Sequence, residues 1–95
     1  MVWFVYILAS RPRGAIYVGS TRDLRRRMEQ HRSGAVPGHA SRYGIRTLVW
    51  FEPHGTLESA LVREKLVKRW KRPWKDELIE ATNPGWRDMS PEIPM

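Results

Sequence analysis

The sequence predicts an α+β domain: a small three-stranded, mainly antiparallel sheet flanked by helices in the order strand, strand, helix, strand, helix, helix. Three observations carry this. Val2-Trp3-Phe4-Val5-Tyr6-Ile7-Leu8 is an unbroken β-branched and aromatic run, and a second short run comes within a few residues of it. Beyond these, apolar residues recur at helical spacing between helix-capping residues. Finally, 95 residues make one domain with one core and leave no room for a second domain.

The first run lacks alternation, the pattern of a strand covered on both faces, and Ser10-Arg11-Pro12-Arg13-Gly14 supplies turn chemistry at its end. Ala15 to Gly19 returns as the second strand. The short connection makes the two a hairpin, with the register, and so the relative facing of Tyr6 and Tyr17, left open. Thr21 is expected to cap the first helix, in which Leu24, Met28 and His31 recur at helical spacing and Gly34 is the C-terminal stop. Gly34 to Gly44 reads as an exposed loop, with a helical turn around Ala40 to Tyr43. Ile45 to Glu52 forms the third strand, and Thr56 caps a helix from Leu57 to about Lys71. Pro73 opens a last helix to about Ala81, and Asn83-Pro84-Gly85 breaks the pattern. The remaining residues, Trp86 to Met95, are expected to lie over the surface as a tail, anchored by Trp86 if at all.

A net charge of +7 with 41% hydrophobic residues describes a folded globule with a strongly positive field. Polyanions are its natural partners, nucleic acid first, because lysine and arginine alternate with tryptophan and tyrosine. An anionic membrane surface and a ribosome-like structural role are the competing readings, and no obligate protein partner is implied. The absence of cysteine excludes disulfides, thiolate metal sites and a cysteine nucleophile. The apolar run from Val2 to Ala9 is too short to span a membrane and lacks the flanks of a leader, so a cytoplasmic protein is expected. The sequence also lacks the spacing of a P-loop, a zinc-ligand cluster or a Ser-His-Asp set.

Some polar residues fall in unusual places. At about 100° per residue, Arg25, Arg26, Glu29 and Arg32 spread away from Leu24 and are expected to be largely solvated. Arg27 shares its face with His31 at the margin of the packed side, where a guanidinium can fork onto a phosphate or lie along apolar surface. His31 can serve either as a satisfied core-edge histidine or as a proton-transfer or phosphate-contacting group. On the second helix, Leu57, Ala60, Leu61 and Val67 surround Glu64. A carboxylate in an apolar sector must pair with a cation such as Arg27 or Lys68, or hold a metal ion. From Arg63 to Lys75, basic residues including Lys65, Lys68, Arg69, Lys71 and Arg72 outweigh the acids and form a phosphate-binding footprint. Trp70 shares a face with Val62 and Leu66 and is read as core, base stacking by Trp70 or Trp74 being the alternative. Trp3 and Trp50 are read as core strand residues.

Phe4-Val5-Tyr6, with Tyr17-Val18-Gly19 ten residues later, resembles the paired tripeptides of the GIY-YIG nuclease superfamily. The continuation Gly19-Ser20-Thr21-Arg22-Asp23-Leu24-Arg25-Arg26-Arg27, with His31 one turn later, is similar to that family's strand-to-helix segment, and Glu64 falls where the family carries its metal-binding glutamate. The resemblance runs from about Val2 to Leu78 and is nearest to small stand-alone bacterial members. It implies a nuclease-like domain at residues 1–82 with a tail at 83–95. By this resemblance Tyr17 activates the attacking water or shares a proton network with it, Tyr6 orients it, Arg27 holds the scissile phosphate and stabilises transition-state charge, and His31 assists proton transfer or contacts phosphate. Glu64 binds one Mg²⁺ or Mn²⁺ ion, while Gly19, Ser20, Lys68, Lys71 and Arg72 bind substrate. The function implied is a divalent-metal-dependent endonuclease hydrolysing DNA phosphodiesters, with single-stranded or structured DNA favoured. The alternative is a non-catalytic nucleic-acid-binding module of the same fold. Phe4 departs from the glycine of the first tripeptide, Ser20 stands where some members place lysine, and Lys75 and Asp76 occupy the region where several carry a supporting asparagine.

Overall fold

A computed structural model describes residues 2–34 and 44–94; the helical turn expected around Ala40 to Tyr43 lies outside them. The described chain forms β1 (Trp3–Ala9), β2 (Ile16–Thr21), α1 (Leu24–Ser33), β3 (Thr47–His54), α2 (Leu57–Arg69), α3 (Arg72–Thr82) and a 3₁₀ turn (Ser90–Glu92). This is the expected α+β order.

The most apolar strand takes the centre of the sheet. The order is β2-β1-β3, and both neighbours run antiparallel to β1. Phe4 to Ala9 are all buried, as an unalternating strand with both faces covered requires. Phe4, Tyr6 and Leu8 face one layer with Leu24 and Met28 of α1, Leu48, Met89 and Ile93. Val5, Ile7 and Ala9 face the other, with Val18, Val49, Trp50, Ala60 and Val67 of α2, Ile79 of α3 and Trp86. Trp50 is core as expected; Trp3 is half-buried against the same layer.

The local signals hold, with displacements at element ends: β2 runs on to Thr21 and β3 begins at Thr47. Thr21 does not cap α1. Its hydroxyl instead accepts from the Asp23 amide, and Asp23 caps the helix by accepting from Arg26 N at 3.1 Å. Both residues are good caps, and the pairing of Thr21 with Phe4 keeps Thr21 inside the strand. Gly34 ends α1 at φ 75°, the left-handed conformation expected of it. β3 runs past its predicted end at Glu52 to His54. There His54 accepts or donates at both ring nitrogens, Nδ1 to Ser59 Oγ at 2.6 Å and Nε2 to Glu52 Oε1 at 2.7 Å, which ties the strand to the start of α2.

The segment after α3 is more firmly held than a surface tail. Trp86, Met89 and Ile93 are all buried, and Arg25 and Arg32 of α1, expected to be solvated, hold the segment through Ile93 O at 2.9 Å and Asp88 at 3.0 Å. Asn83 is the pivot. It is 1% exposed, donates from Nδ2 to Val49 O and Arg87 O, and accepts from Arg87 N at Oδ1. Replacing it with alanine strands buried carbonyl and amide groups, each worth about 1–3 kcal/mol. Asn83→Ala is therefore expected to lower stability by roughly 3 kcal/mol in urea unfolding while leaving the folded spectrum intact; a loss under about 0.5 kcal/mol would refute the pivot.

Candidate active site

The hairpin register decides which side chains meet. Tyr6 pairs with Gly19 and Leu8 with Tyr17, so Tyr6 and Tyr17 stand on the same face as diagonal neighbours, with ring centroids 6.2 Å apart. A Cβ on Gly19 would lie 2.8 Å from Tyr6 Oη and 3.0 Å from Tyr17 Cε1. Only a residue without a side chain lets the Tyr6 phenol lie across β2 towards the sheet edge.

From α1, His31 closes the third side. It is 1% exposed, and its ring lies 5.6 Å from that of Tyr17 and 6.2 Å from that of Tyr6. Its Nε2 is 3.4 Å from Tyr6 Oη, a long contact, and its Nδ1 has no hydrogen-bond partner among the described residues. The positive charge of Arg27, one turn earlier, favours the ionised form of the Tyr6 phenol and repels a proton on His31. Burial, together with Arg27, holds the His31 pKa below its ordinary 6.5, so the imidazole is neutral near pH 7. Burial and the neighbouring Tyr17 push the Tyr6 phenol well above its ordinary value, with Arg27 opposing and Glu64 adding to the rise. Tyr6 therefore stays protonated near neutral pH.

Glu64 reaches this edge from the opposite layer. Its helix packs on the Val5 and Val18 face, and its carboxylate accepts from Ser20 Oγ and from Lys68 Nζ, each at 2.5 Å. Of the two cations expected, Lys68 is thus the partner. The Lys68 side chain is half-exposed, and exposed pairs one helical turn apart contribute only about 0.3–0.5 kcal/mol. No group of three or more histidine, cysteine, aspartate or glutamate side chains gathers among the described residues. A lone carboxylate beside a hydroxyl offers hard oxygen donors, and that fits an ion that keeps most of its waters and takes phosphate oxygens from substrate. A many-ligand protein cage is not what these residues build.

The structure therefore brings Tyr6, Tyr17, Gly19, Ser20, Arg27, His31, Glu64 and Lys68 together along the edge strand β2. An open pocket beside them is lined by Trp3, Ser20, Arg22, Arg26, Arg27 and Gln30. Arg22, with its guanidinium 5.8 Å over the Trp3 ring, and Arg26 had no signal beyond charge that set them apart. Arg72 is occupied elsewhere, donating to Asp76 and to Gly14 O; Lys71 at the N-cap of α3 is exposed. The Ser59–His54–Glu52 chain of contacts was not anticipated from sequence. Arg63 engages both oxygens of Glu52, at 3.1 and 3.3 Å, so that carboxylate orders the arginine and fastens α2 to β3.

Residues 2–77 match the GIY-YIG catalytic domain. The chain is 34% identical to a UPF0213 protein of Streptococcus pneumoniae over 76 residues, 80% of this chain and 76% of that protein. It is 32% identical to the UPF0213 protein YhbQ of Escherichia coli over 96 residues, which covers 96% of this chain and 94% of YhbQ. A UPF0213 protein from Bacillus halodurans, solved by solution NMR, superimposes with a TM-score of 0.58 at 29% identity over 94% of each chain. The chain belongs to the GIY-YIG family, in its small stand-alone bacterial branch.

Proposed function

We propose that the protein is a divalent-metal-dependent endonuclease that hydrolyses DNA phosphodiesters, with single-stranded or structured DNA favoured. The observation that carries this reading is the convergence of Tyr6, Tyr17, Arg27 and His31 with the Glu64 carboxylate at one edge of the sheet, made geometrically feasible by Gly19. Hydrolysis joins a water oxygen to phosphorus as one backbone P–O bond breaks; the water loses a proton and the leaving oxygen gains one. Each demand has a residue suited to it. The Arg27 guanidinium holds the phosphate and offsets the charge that grows on it. Tyr6, kept protonated, donates a hydrogen bond and orients the water or the phosphate. Tyr17, less buried than Tyr6, stands where it can share the water's proton. His31, neutral and buried, assists proton transfer through the Tyr6 hydroxyl 3.4 Å from its Nε2.

Glu64 and Ser20 would hold the divalent ion, Mg²⁺ or Mn²⁺, which when bound lowers the pKa of water and screens phosphate charge. Lys68 leaves the carboxylate at little cost and is then free for a substrate phosphate. Lys71, Lys65 and Arg69 extend the cationic track along the outer surface.

Cleavage of labelled single-stranded, duplex and branched DNA with Mg²⁺, Mn²⁺ or EDTA tests the reading. Glu64→Ala and Tyr17→Phe are each expected to lower the rate at least about 100-fold with binding retained. Binding of every substrate without cutting would favour a non-catalytic module, and metal-independent cutting would refute the role of Glu64.

Gly19→Ala sets a methyl against the Tyr6 hydroxyl and is expected to reduce cutting about 100-fold while costing only about 1–3 kcal/mol of stability. A variant that cuts like the wild type would show that cutting does not need the close approach of Tyr6 to β2.

The histidine predicts a pH dependence of stability. Because the folded pKa of His31 lies below its unfolded value, the unfolded chain takes up a proton first as pH falls. The contribution is then fully present above the ordinary 6.5 and is lost below it. Thermal melting of the wild type is expected to fall more steeply than that of His31→Gln between about pH 7 and 5; parallel curves would show that His31 titrates normally.

A further inference from the structure

The corner between α2 and α3 carries an aromatic surface with no part in the chemistry above. Trp74, in the first turn of α3, is 55% exposed. Trp70, at the C-cap of α2, meets it edge to face, with centroids 6.2 Å apart and planes at 79°. The two indoles, with Glu77 and Leu78, line a shallow pocket. Trp70 is fixed from behind. The Arg63 guanidinium lies 5.3 Å over its ring and 6.0 Å over that of Trp50, and Glu52 holds that guanidinium by two hydrogen bonds. The inner wall of the corner is thus rigid and the outer wall stands in solvent.

Two perpendicular rings form an angle that receives one flat ring, stacked on one wall and edge-on to the other. The surroundings select among flat rings. Arg69 and Lys71 are exposed beside the corner and Lys75 lies one residue beyond Trp74, so a ring carrying phosphate on either side is favoured over an apolar peptide side chain. Glu77 adds a carboxylate, which accepts from the amino edge of a base. Bases in a duplex have both faces covered and cannot enter.

We propose that the Trp70–Trp74 corner is a base-stacking subsite that takes one unpaired nucleobase of a DNA strand, with Arg69, Lys71 and Lys75 on the adjoining phosphates. This deepens the nuclease reading and rests on it, because it makes the enzyme's preference a preference for strands with an unpaired base outside the site of cutting.

Fluorescence anisotropy with a labelled single-stranded DNA of about 12 nucleotides, matched to the site sizes of small single-strand binders, and with its duplex tests this, in a Glu64→Gln background that stops cutting. Adding Trp74→Ala is expected to weaken single-strand binding roughly 10-fold, with duplex binding within twofold, the salt dependence unchanged and the melting temperature little altered. Trp74→Phe should retain most of the affinity. Lys75→Gln should instead reduce the salt slope. Equal losses on single strand and duplex, or none on either, would overturn the subsite while leaving the nuclease reading in place. So would a change in sedimentation on Trp74→Ala without any effect on DNA, which would assign the corner to a second copy of the chain. Failure of the parent to bind either DNA would overturn the nucleic-acid reading and the subsite with it.

Discussion

Everything in the candidate site depends on one absent atom, the Cβ of residue 19. β1 is the central strand and its side chains point into two closed layers, so a polar group on it would ordinarily be sealed inside. Tyr6 stays buried, but its cross-strand partner is Gly19, over which the phenol passes to within 2.8 Å of where a Cβ would be. A core residue thereby carries its hydroxyl across β2 towards His31 without leaving the packed interior. Any other residue at position 19 forces the tyrosine back or the strands apart, and protein interiors yield to neither cheaply.

That geometry explains why the site straddles a strand. Tyr6, Tyr17, Arg27 and His31 belong to the layer covered by α1, whereas Glu64 belongs to the layer covered by α2. Ser20 joins them, since adjacent residues on β2 point to opposite faces and Ser20 meets the Glu64 carboxylate while Gly19 lies under Tyr6. The separation between the acid and the tyrosines is therefore set by one hydrogen-bonded edge strand rather than by a loop or a hinge. Groups held on regular elements are already in place when substrate arrives, which is where electrostatic catalysis gains most.

How much of this was legible in the sequence depends on the range of the forces involved. Strand β1, the Gly34 stop and the Thr56 cap are local matters, and the residues declared them. The cap of α1 did not, because Thr21 and Asp23 are both good caps and only the pairing of Thr21 with Phe4 decides between them. On one face of α2 the apolar pattern misled. Val62 and Leu66 share a face with Trp70 but are 68% and 46% exposed, because the burying face of α2 runs through Ala60 and Val67. Small apolar residues mark the closest helix-to-sheet approach, and a pattern that counts leucines misses it. The C-terminal segment was harder still. Its anchors, Asn83 with Val49 and Arg25 with Ile93, join residues far apart in the chain, and no local pattern encodes them. Arg27, His31 and Glu64 stood out by their places on helix faces, whereas Tyr6 and Tyr17 were singled out by resemblance alone, since the one-residue question of register that brings them to the same face has no local answer.

The cations divide by how firmly they are already held. Arg63, Arg72, Arg25 and Arg32 are each tied to a carboxylate or a carbonyl elsewhere in the fold, and moving one would leave its partner unsatisfied. Lys68 is different: its contact with Glu64 is a half-exposed pair of small net value. On the proposed function, a divalent ion and a phosphate arriving together would replace one weak contact with two stronger ones, the ion at the carboxylate and the ammonium at the phosphate. Without them, Lys68 keeps the partly buried Glu64 carboxylate from standing as an uncompensated charge. On that reading the same ammonium stabilises the free protein and becomes available to substrate, and the electrostatic cost of placing an acid near the buried Tyr6 phenol is met before any ligand binds.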